Sequence, residues 1–331
     1  MLYFINTKKI MRFNKLDLNN LVCLDALITE RSVSRAADRL YLSRPAMSCA
    51  LTRLREYFKD DLLFQVGKAM IPTPLALSLE RPLRDVLLQL QAITSTSAVD
   101  VDLSKVKRTI KITGSDYVAA IFMPMVVERA FIEAPGIAID FRAFSPRFSE
   151  ELDSGDVDLL IVSDTHSTKN HPAEELFQDT FSCVTWTGNH EIGDTLSLEQ
   201  YLSFGHVDTQ WGAGRLKAVD AKVFEEYGAS RRTEAWVSTF SQVPMFLTGT
   251  NRLGTLQTRL AQLASKQWPI RVLPCPLSIP LLVEVLQWHK YQESDPVLNW
   301  IRTLMVTVAA EMSAIEITKK FKIRKKSISA T

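Results

Sequence analysis

The stretch from Ser32 to Pro74 constrains the fold more tightly than any other part of the chain. Ser34-Arg35-Ala36-Ala37-Asp38-Arg39-Leu40 reads as one short helix, with two small residues where a second helix must cross closely. Tyr41-Leu42 makes the turn. Ser43 can then cap the next helix, because its hydroxyl oxygen accepts a backbone N–H that has no partner inside the helix. Pro45 is tolerated in a first turn, where no donor is needed. A second helix is expected from Arg44 to Phe58. Laid on a helical period, it places Met47, Ala50, Leu51, Leu54, Tyr57 and Phe58 on one side and Arg44, Ser48, Thr52 and Arg55 on the other.

The first face packs. The second is a stripe of short polar side chains with guanidinium groups at its ends, and an exposed helix of this kind has the width and the donors to read base edges in the major groove. Arg44 and Ser48 lie nearest the N-terminus and are expected at bases. Ser34, Arg35, Ser43, Pro45 and Thr52 complete the facing surface, with Arg53 and Arg55 at phosphates. Leu62-Leu63-Phe64-Gln65-Val66 and Ala69-Met70-Ile71 then read as two short strands around Gly67-Lys68, a hairpin whose tip lysine suits a phosphate or minor-groove contact. Any amphipathic helix pair gives two faces. Turn, cap, basic stripe and hairpin in this order make a winged helix-turn-helix.

These residues carry a family resemblance. Leu16-Asp17-Leu18-Asn19, Ser34-Arg35-Ala36-Ala37, Leu42-Ser43-Arg44-Pro45-Ala46-Met47-Ser48, Leu54-Arg55, Asp61-Leu62-Leu63-Phe64 and Pro72-Thr73-Pro74 together resemble LysR-type transcriptional regulators. The chain looks most like the branch that holds the flavonoid-responsive nodulation regulators (NodD) and the NahR-like aromatic-degradation regulators. The resemblance continues through Ala134-Pro135-Gly136, Gly155-Asp156-Val157-Asp158-Leu159, Phe204-Gly205-His206-Val207 and Trp288-His289, covering most of Met11 to Met312. Many members carry Gln where this chain has Arg44. Arg prefers the acceptors of guanine and Gln suits adenine, so the operator preference of relatives does not transfer at that base. The first ten residues read as an extension or a misassigned start.

At 331 residues, 46% hydrophobic and 23% charged, the chain is long enough for two or three domains with sizeable cores. The formal charge of +2 does not announce a nucleic-acid binder, but basic residues outnumber acidic ones from Arg12 to Ala92, and Lys319 to Lys326 is almost wholly basic. That tail reads either as a solvated or helical end or as a DNA contact. Cys23, Cys49, Cys183 and Cys275 show no metal-ligand spacing and read as reduced thiols of a cytoplasmic protein. Leu2-Tyr3-Phe4-Ile5 is too short for a signal-peptide core, and no apolar stretch approaches membrane-spanning length. No cofactor or metal is expected.

Thr73 and Pro74 open a long helix in which Leu79, Leu83, Val86, Leu90 and Ile93 make a short coiled-coil seam, while Pro82 should kink or break it. A single apolar stripe must pack on something. In this family's architecture it is the same helix of a second subunit, giving a homodimer or homotetramer; the alternative is the chain's own winged helix. Thr94-Ser95-Thr96-Ser97 and Val99 to Asp102 read as a linker. Strand Thr109–Thr113, helix Tyr117–Glu133, strand Ile137–Phe144, a short helix opened by Pro146 and strand Asp158–Val162 then make an α/β layer with a parallel sheet.

The expected fold class is therefore α/β: an N-terminal winged helix-turn-helix with a long linker helix, then a two-lobed effector domain resembling periplasmic binding proteins. The domains run 12–73 (DNA binding), 74–106 (dimerisation helix and hinge), 107–165 with 277–312 (lobe I), 166–276 (lobe II) and 313–331 (basic tail). In open α/β sheets ligands bind beyond the carboxyl ends of strands, so an effector belongs between the lobes. Thr113-Gly114-Ser115-Asp116 is the first candidate wall, being a strand end that opens a helix whose amides favour anions; a plain helix cap is the other reading. His206 borders the effector cavity in aromatic-responsive relatives. Phe144, Ser145, Phe240 and Thr255 fall on equivalent loops.

The leading reading is a sequence-specific DNA-binding regulator, with double-stranded promoter DNA and a small, aromatic or carboxylate effector as partners and RNA polymerase as a further one. The alternative is a regulator of the same fold that works without an effector, for example by antagonising a DNA-compacting repressor. Ser115, Asp116 and His206 could be cast as a catalytic triad, but they lie on loops with no nucleophile elbow, so an enzyme is not expected. A solute-binding protein would leave the DNA-binding part without a purpose.

Overall fold

The computed structural model describes residues 16–66, 69–95, 102–210 and 231–328. The chain divides into two compact units, 1–94 and 95–331. In the first, helices α1 (Leu18–Glu30), α2 (Val33–Arg39) and α3 (Arg44–Phe58) are followed by strands β1 (Leu63–Val66) and β2 (Ala69–Pro72) and helix α4 (Pro74–Ser95). The boundaries follow local chemistry. Ser32 and Ser43 each accept a backbone N–H three residues on, from Arg35 and Ala46, both at 3.3 Å, and so satisfy donors the helices leave open. Ala36 and Ala37, fully buried, let α2 cross α3, and Leu24, Leu27, Met47, Leu54, Leu62 and Leu63 fill the core around them.

The hairpin pairs Val66 with Ala69 across the intervening Gly67 and Lys68, which lie outside the described residues. Asp60 joins hairpin to linker helix. Its Oδ1 accepts Leu62 N–H at 2.7 Å and the Thr73 hydroxyl at 2.6 Å, while Thr73 Oγ1 accepts Ala76 N–H at 3.1 Å as the cap of α4. Helix α4 runs unbroken through Pro82 and includes Thr94 and Ser95, so neither the expected break nor the expected early end occurs. Residues 96–101 of the expected linker lie outside the described residues.

Among the described residues, the second unit holds two five-stranded sheets. Lobe I contains β3 (Arg108–Gly114), α5 (Asp116–Ile121), α6 (Met123–Glu133), β4 (Ile137–Ala143), α7 (Phe148–Asp153), β5 (Leu159–Ser163) and β6 (Ala173–Asp179). Lobe II contains β7 (Phe181–Trp186), α8 (Leu198–Ser203), β8 (Gly205–Thr209), β9 (Arg232–Val237), α9 (Val243–Leu247), β10 (Leu253–Gln257), α10 (Thr258–Ala264) and β11 (Ile270–Pro274). Strand β12 (Leu282–Trp288) returns to the first sheet, ordered β4-β3-β5-β12-β6, against β11-β7-β10-β8-β9 in the second. Strands β3, β4 and β5 are parallel; β12 is antiparallel to both β5 and β6.

The sheets part at Thr180, not near His166. Strand β6 falls inside the span expected for lobe II, but it pairs with β12 from Asp179↔Leu282 to Ala173↔Gln287 and so belongs to lobe I. Its partner lies about a hundred residues further on, which local sequence does not reveal. The single helix expected from Tyr117 to Glu133 is two, meeting at Phe122, because Pro124 has no N–H to continue the ladder. The closing helix α11 spans Pro296–Ile328, so the backbone stays helical well past Val308 and through most of the basic tail.

Candidate nucleic-acid interface and effector site

One face of α3 is buried through Met47, Ala50, Leu51 and Leu54. The opposite face is exposed at Ser43, Arg44, Pro45, Ser48, Thr52 and Arg53. Arg44 is the first helical residue after the Ser43 cap, so its guanidinium stands at the N-terminal end, where a recognition helix meets base edges. Thr52 Oγ1 donates back to the Ser48 carbonyl at 3.1 Å. Ser34 and Arg35 lie at the start of α2 and line, with Arg31, Gln65 and Ile71, a groove of about 590 Å³ between that helix and the hairpin. Arg35 is itself tied to Glu30, through the backbone carbonyl and an ion pair at 3.5 Å, with 66% of its side chain exposed.

Two residues depart from expectation. Arg55 lies on the polar stripe by its spacing, but its Nε donates to the Asp61 carbonyl at 2.8 Å and its Nη2 to the Leu63 carbonyl at 2.6 Å. It ties the recognition helix to the hairpin and is not a free phosphate contact. Tyr57 is 41% exposed although its spacing puts it on the packing face. A residue overlooked in the sequence is Tyr41. It is 97% exposed, with φ of 54° in the turn just ahead of Ser43 and Arg44. That backbone closes α2, with Leu42 N–H donating to the Ala37 carbonyl at 2.9 Å, and it leaves the ring in solvent beside the recognition helix.

The seam of α4 divides between two surroundings. Leu83 is buried in the winged-helix core with Ala76, and Leu79 and Leu87 pack against it, so the inner edge is covered within the chain. Arg84 seals that contact, pairing with Asp25 and donating to Thr29 Oγ1 at 2.6 Å. Leu79 and Leu83 are thus corrected from dimer seam to domain core. Val86 and Ile93, on the outer edge, are 43% and 69% exposed, with Leu90 half-buried.

In lobe I, Ser115 caps α5 by accepting Val118 N–H at 3.2 Å, and Thr113 is fully buried. Asp116 does not leave an anion site open. Its two carboxylate oxygens accept the backbone N–H groups of Phe240 (3.1 Å) and Ser241 (2.8 Å), so a lobe I side chain caps a lobe II turn. Apolar contacts continue across the same junction: Val118 and Phe122 share one core with Val184, Val237, Phe240, Val243 and Leu260. Phe144 stacks on Phe148 at 5.2 Å, and Ser145 donates to Glu151 at 2.5 Å, so both are engaged around α7.

His206 is fully buried in lobe II, not at a ligand surface. Its Nε2–H donates to the Tyr201 carbonyl at 2.7 Å, and the Tyr201 ring meets it edge-on at 4.6 Å. Burial pushes its pKa down to about 4, so the ring is neutral at pH 7. Thr255 belongs to the same cluster, sharing a 2.7 Å hydrogen bond with the Tyr201 hydroxyl. The notional triad is not assembled: Ser115, Asp116 and His206 each answer to a different backbone group. Among the described residues, no helix is long and apolar enough to cross a membrane.

Comparison with known proteins agrees with this division. Residues 18–77 match the family described as bacterial regulatory helix-turn-helix protein, lysR family, and residues 104–310 match the LysR substrate binding domain. Nodulation protein D 2 of Rhizobium tropici is 42% identical over 302 residues, covering 91% of this chain and 96% of the relative. Nodulation protein D 1 of Bradyrhizobium diazoefficiens is 37% identical over 305 residues, 92% and 96% of the two chains. A probable transcriptional regulator of Pseudomonas aeruginosa superposes with a TM-score of 0.65 at 26% identity, covering 88% of this chain and 97% of its own. Full-length OxyR from the same organism, at 16% identity over 89% and 94%, shares the fold with a TM-score of 0.68. The capped recognition helix, the two-lobed α/β unit and these matches together establish that the chain belongs to the LysR family of transcriptional regulators, with a DNA-binding helix-turn-helix and an effector-binding domain.

Proposed function

We propose that the chain binds a promoter operator as a homodimer or homotetramer and reads it with Arg44 and Ser48. Ser34, Arg35, Tyr41, Ser43, Pro45, Thr52 and Arg53 face the backbone around them, with Lys68 of the hairpin tip at a phosphate. The observation that carries this reading is the exposed guanidinium of Arg44 at the first position of a helix whose other face is core. Outer-edge residues Val86 and Ile93 of α4 supply a second copy with an apolar seam. The regulator acts in the cytoplasm, where its promoter lies, and RNA polymerase receives the output.

A small aromatic compound bound between the lobes is the proposed effector, supported by the resemblance to flavonoid- and aromatic-responsive regulators. The Asp116 contact to Phe240 and Ser241 holds in one lobe arrangement and must break in another, so a ligand that prefers either arrangement shifts the balance. The test is an operator titration with DNA bending measured, with and without small aromatic acids and phenols, on the wild type and Asp116→Ala. A compound should raise the melting temperature and change the bend, and Asp116→Ala should change the bend with no compound present. If no compound acts at millimolar concentration and Asp116→Ala bends DNA as the wild type does, the effector-independent reading replaces this one.

A further inference from the structure

Most cations of the winged helix are already matched inside the fold. Arg35 and Arg39 pair with Glu30 at 3.5 and 3.4 Å, Arg39 also lies 3.9 Å from Asp25, and Arg84 pairs with Asp25 as well. Arg31 stands apart from this set. Its side chain is exposed, and its guanidinium makes no hydrogen bond or ion pair among the described residues. The backbone does not explain the arginine either. Arg31 closes α1 with φ of 47°, its N–H donating to the Leu27 carbonyl at 3.0 Å, and that left-handed conformation is one that glycine adopts freely and a longer side chain does not.

Arg31 lines the groove of about 590 Å³ between the start of α2 and the hairpin, with Gln65 and Ile71 exposed on the opposite wall. On the α2 side the Ser34 hydroxyl has no partner among the described residues. Among those residues the lining holds two guanidinium groups and no carboxylate, and Glu30 meets only one of the two. One uncompensated positive charge beside a free hydroxyl favours an anion. Position decides which anion. With α3 in a major groove and the hairpin tip at the neighbouring minor groove, one sugar–phosphate strand separates the two and must pass between the helix pair and the hairpin, where the first helix of a helix-turn-helix crosses the DNA backbone.

We propose that this groove seats a sugar–phosphate strand of the bound DNA and that Arg31 pairs with one of its phosphates. The inference rests on the reading that the unit grips a duplex through α3 and the hairpin. Arg31 then strengthens the grip on any duplex and carries no sequence information, in contrast to Arg44.

Titrations of the full chain on operator and random duplex over a range of salt concentrations test it. Arg31→Gly removes the cation and suits the left-handed backbone, so its melting temperature should stay close to that of the wild type. Its slope of log affinity against log salt should be shallower by about 0.9, and both duplexes should bind about 3- to 10-fold more weakly near physiological salt with their ratio unchanged. Arg31→Lys, which keeps the charge, should recover most of that slope. Ile71→Glu, placing a carboxylate on the opposite wall, should weaken both duplexes too. Should the glycine variant prove unstable, Arg31→Asn, which also tolerates that backbone, takes its place. An unchanged salt slope without the cation, a fall in the ratio of operator to random affinity, or full affinity in Ile71→Glu overturns the proposal. If the wild type binds neither duplex, the reading of α3 falls and this inference with it.

Discussion

Replacing Glu284 with Gln should stabilise the effector domain at neutral pH and cost it about 1–2 kcal/mol in acid, where the carboxyl is already neutral and only the unpartnered amide counts. Glu284 lies in β12 beside Ser163 of β5 and Phe177 of β6, only 4% exposed, and its Oε2 has no hydrogen-bond partner among the described residues. Burial, and then the carboxylates of Asp164 and Asp179, push its pKa from 4.5 up to about 8. In the unfolded chain the same group ionises near its ordinary value. An acid whose pKa is raised by folding lends stability that is complete below 4.5 and is lost as pH climbs towards 8. At pH 7 the gap from 4.5, at about 1.36 kcal/mol for each pH unit, makes about 3 kcal/mol of lost stability. Gln keeps the shape and removes the charge, but its amide also lacks partners, so a net gain of about 1–2 kcal/mol is expected. In a domain of this size that is roughly 2–8 °C in Tm. Scanning calorimetry of wild type and Glu284→Gln from pH 5 to pH 8 should show a difference that rises with pH, from a loss to a gain. A difference constant over that range would refute the argument, because packing alone does not titrate.

His206 should give the opposite trend. Its pKa falls on folding from 6.5 to about 4, so stability is complete above 6.5 and about 3 kcal/mol of it is lost as pH falls to 4. Urea melts at pH 7 and pH 4.5 should show His206→Phe losing less than the wild type in acid; parallel losses would sink the assignment. Val86→Asp with Ile93→Asp should dissociate the protein at micromolar concentration, as light scattering would register, since both carboxylates enter the seam of α4. Leu83→Ala should instead cost about 2–5 kcal/mol in the winged helix with little effect on self-association. A dimer that survives the double substitution would move the interface off α4.

What could be read from the sequence was whatever is settled within a few residues. Ser43, Pro45 and Thr73 announced their helices because capping is local, and the apolar period of α3 identified Met47, Leu51 and Leu54 as core. Functions that depend on a distant neighbour were not legible. Arg55 has the spacing of a DNA contact, yet two carbonyls of the following loop claim it. Leu83 and Val86 share a stripe, and only the position of α1 decides which edge is covered. Asp116 looked like the opening of an anion site until Phe240 and Ser241, more than a hundred residues on, took both its oxygens. For His206 the motif marked the residue but not its depth, and the groove beside Arg31 is built from α2 and the hairpin, which no local pattern brings together.

The claim that α3 reads sequence through Arg44 is tested most directly by titrating the wild type and Arg44→Ala against operator and random duplex at one fixed salt concentration. The loss of a bidentate base contact costs about 1–3 kcal/mol of discrimination, so the ratio of operator to random affinity should fall about 5- to 150-fold, with preference relaxed at one base pair. A variant that binds both duplexes more weakly but keeps the ratio would show that Arg44 touches only phosphate and that sequence is read elsewhere.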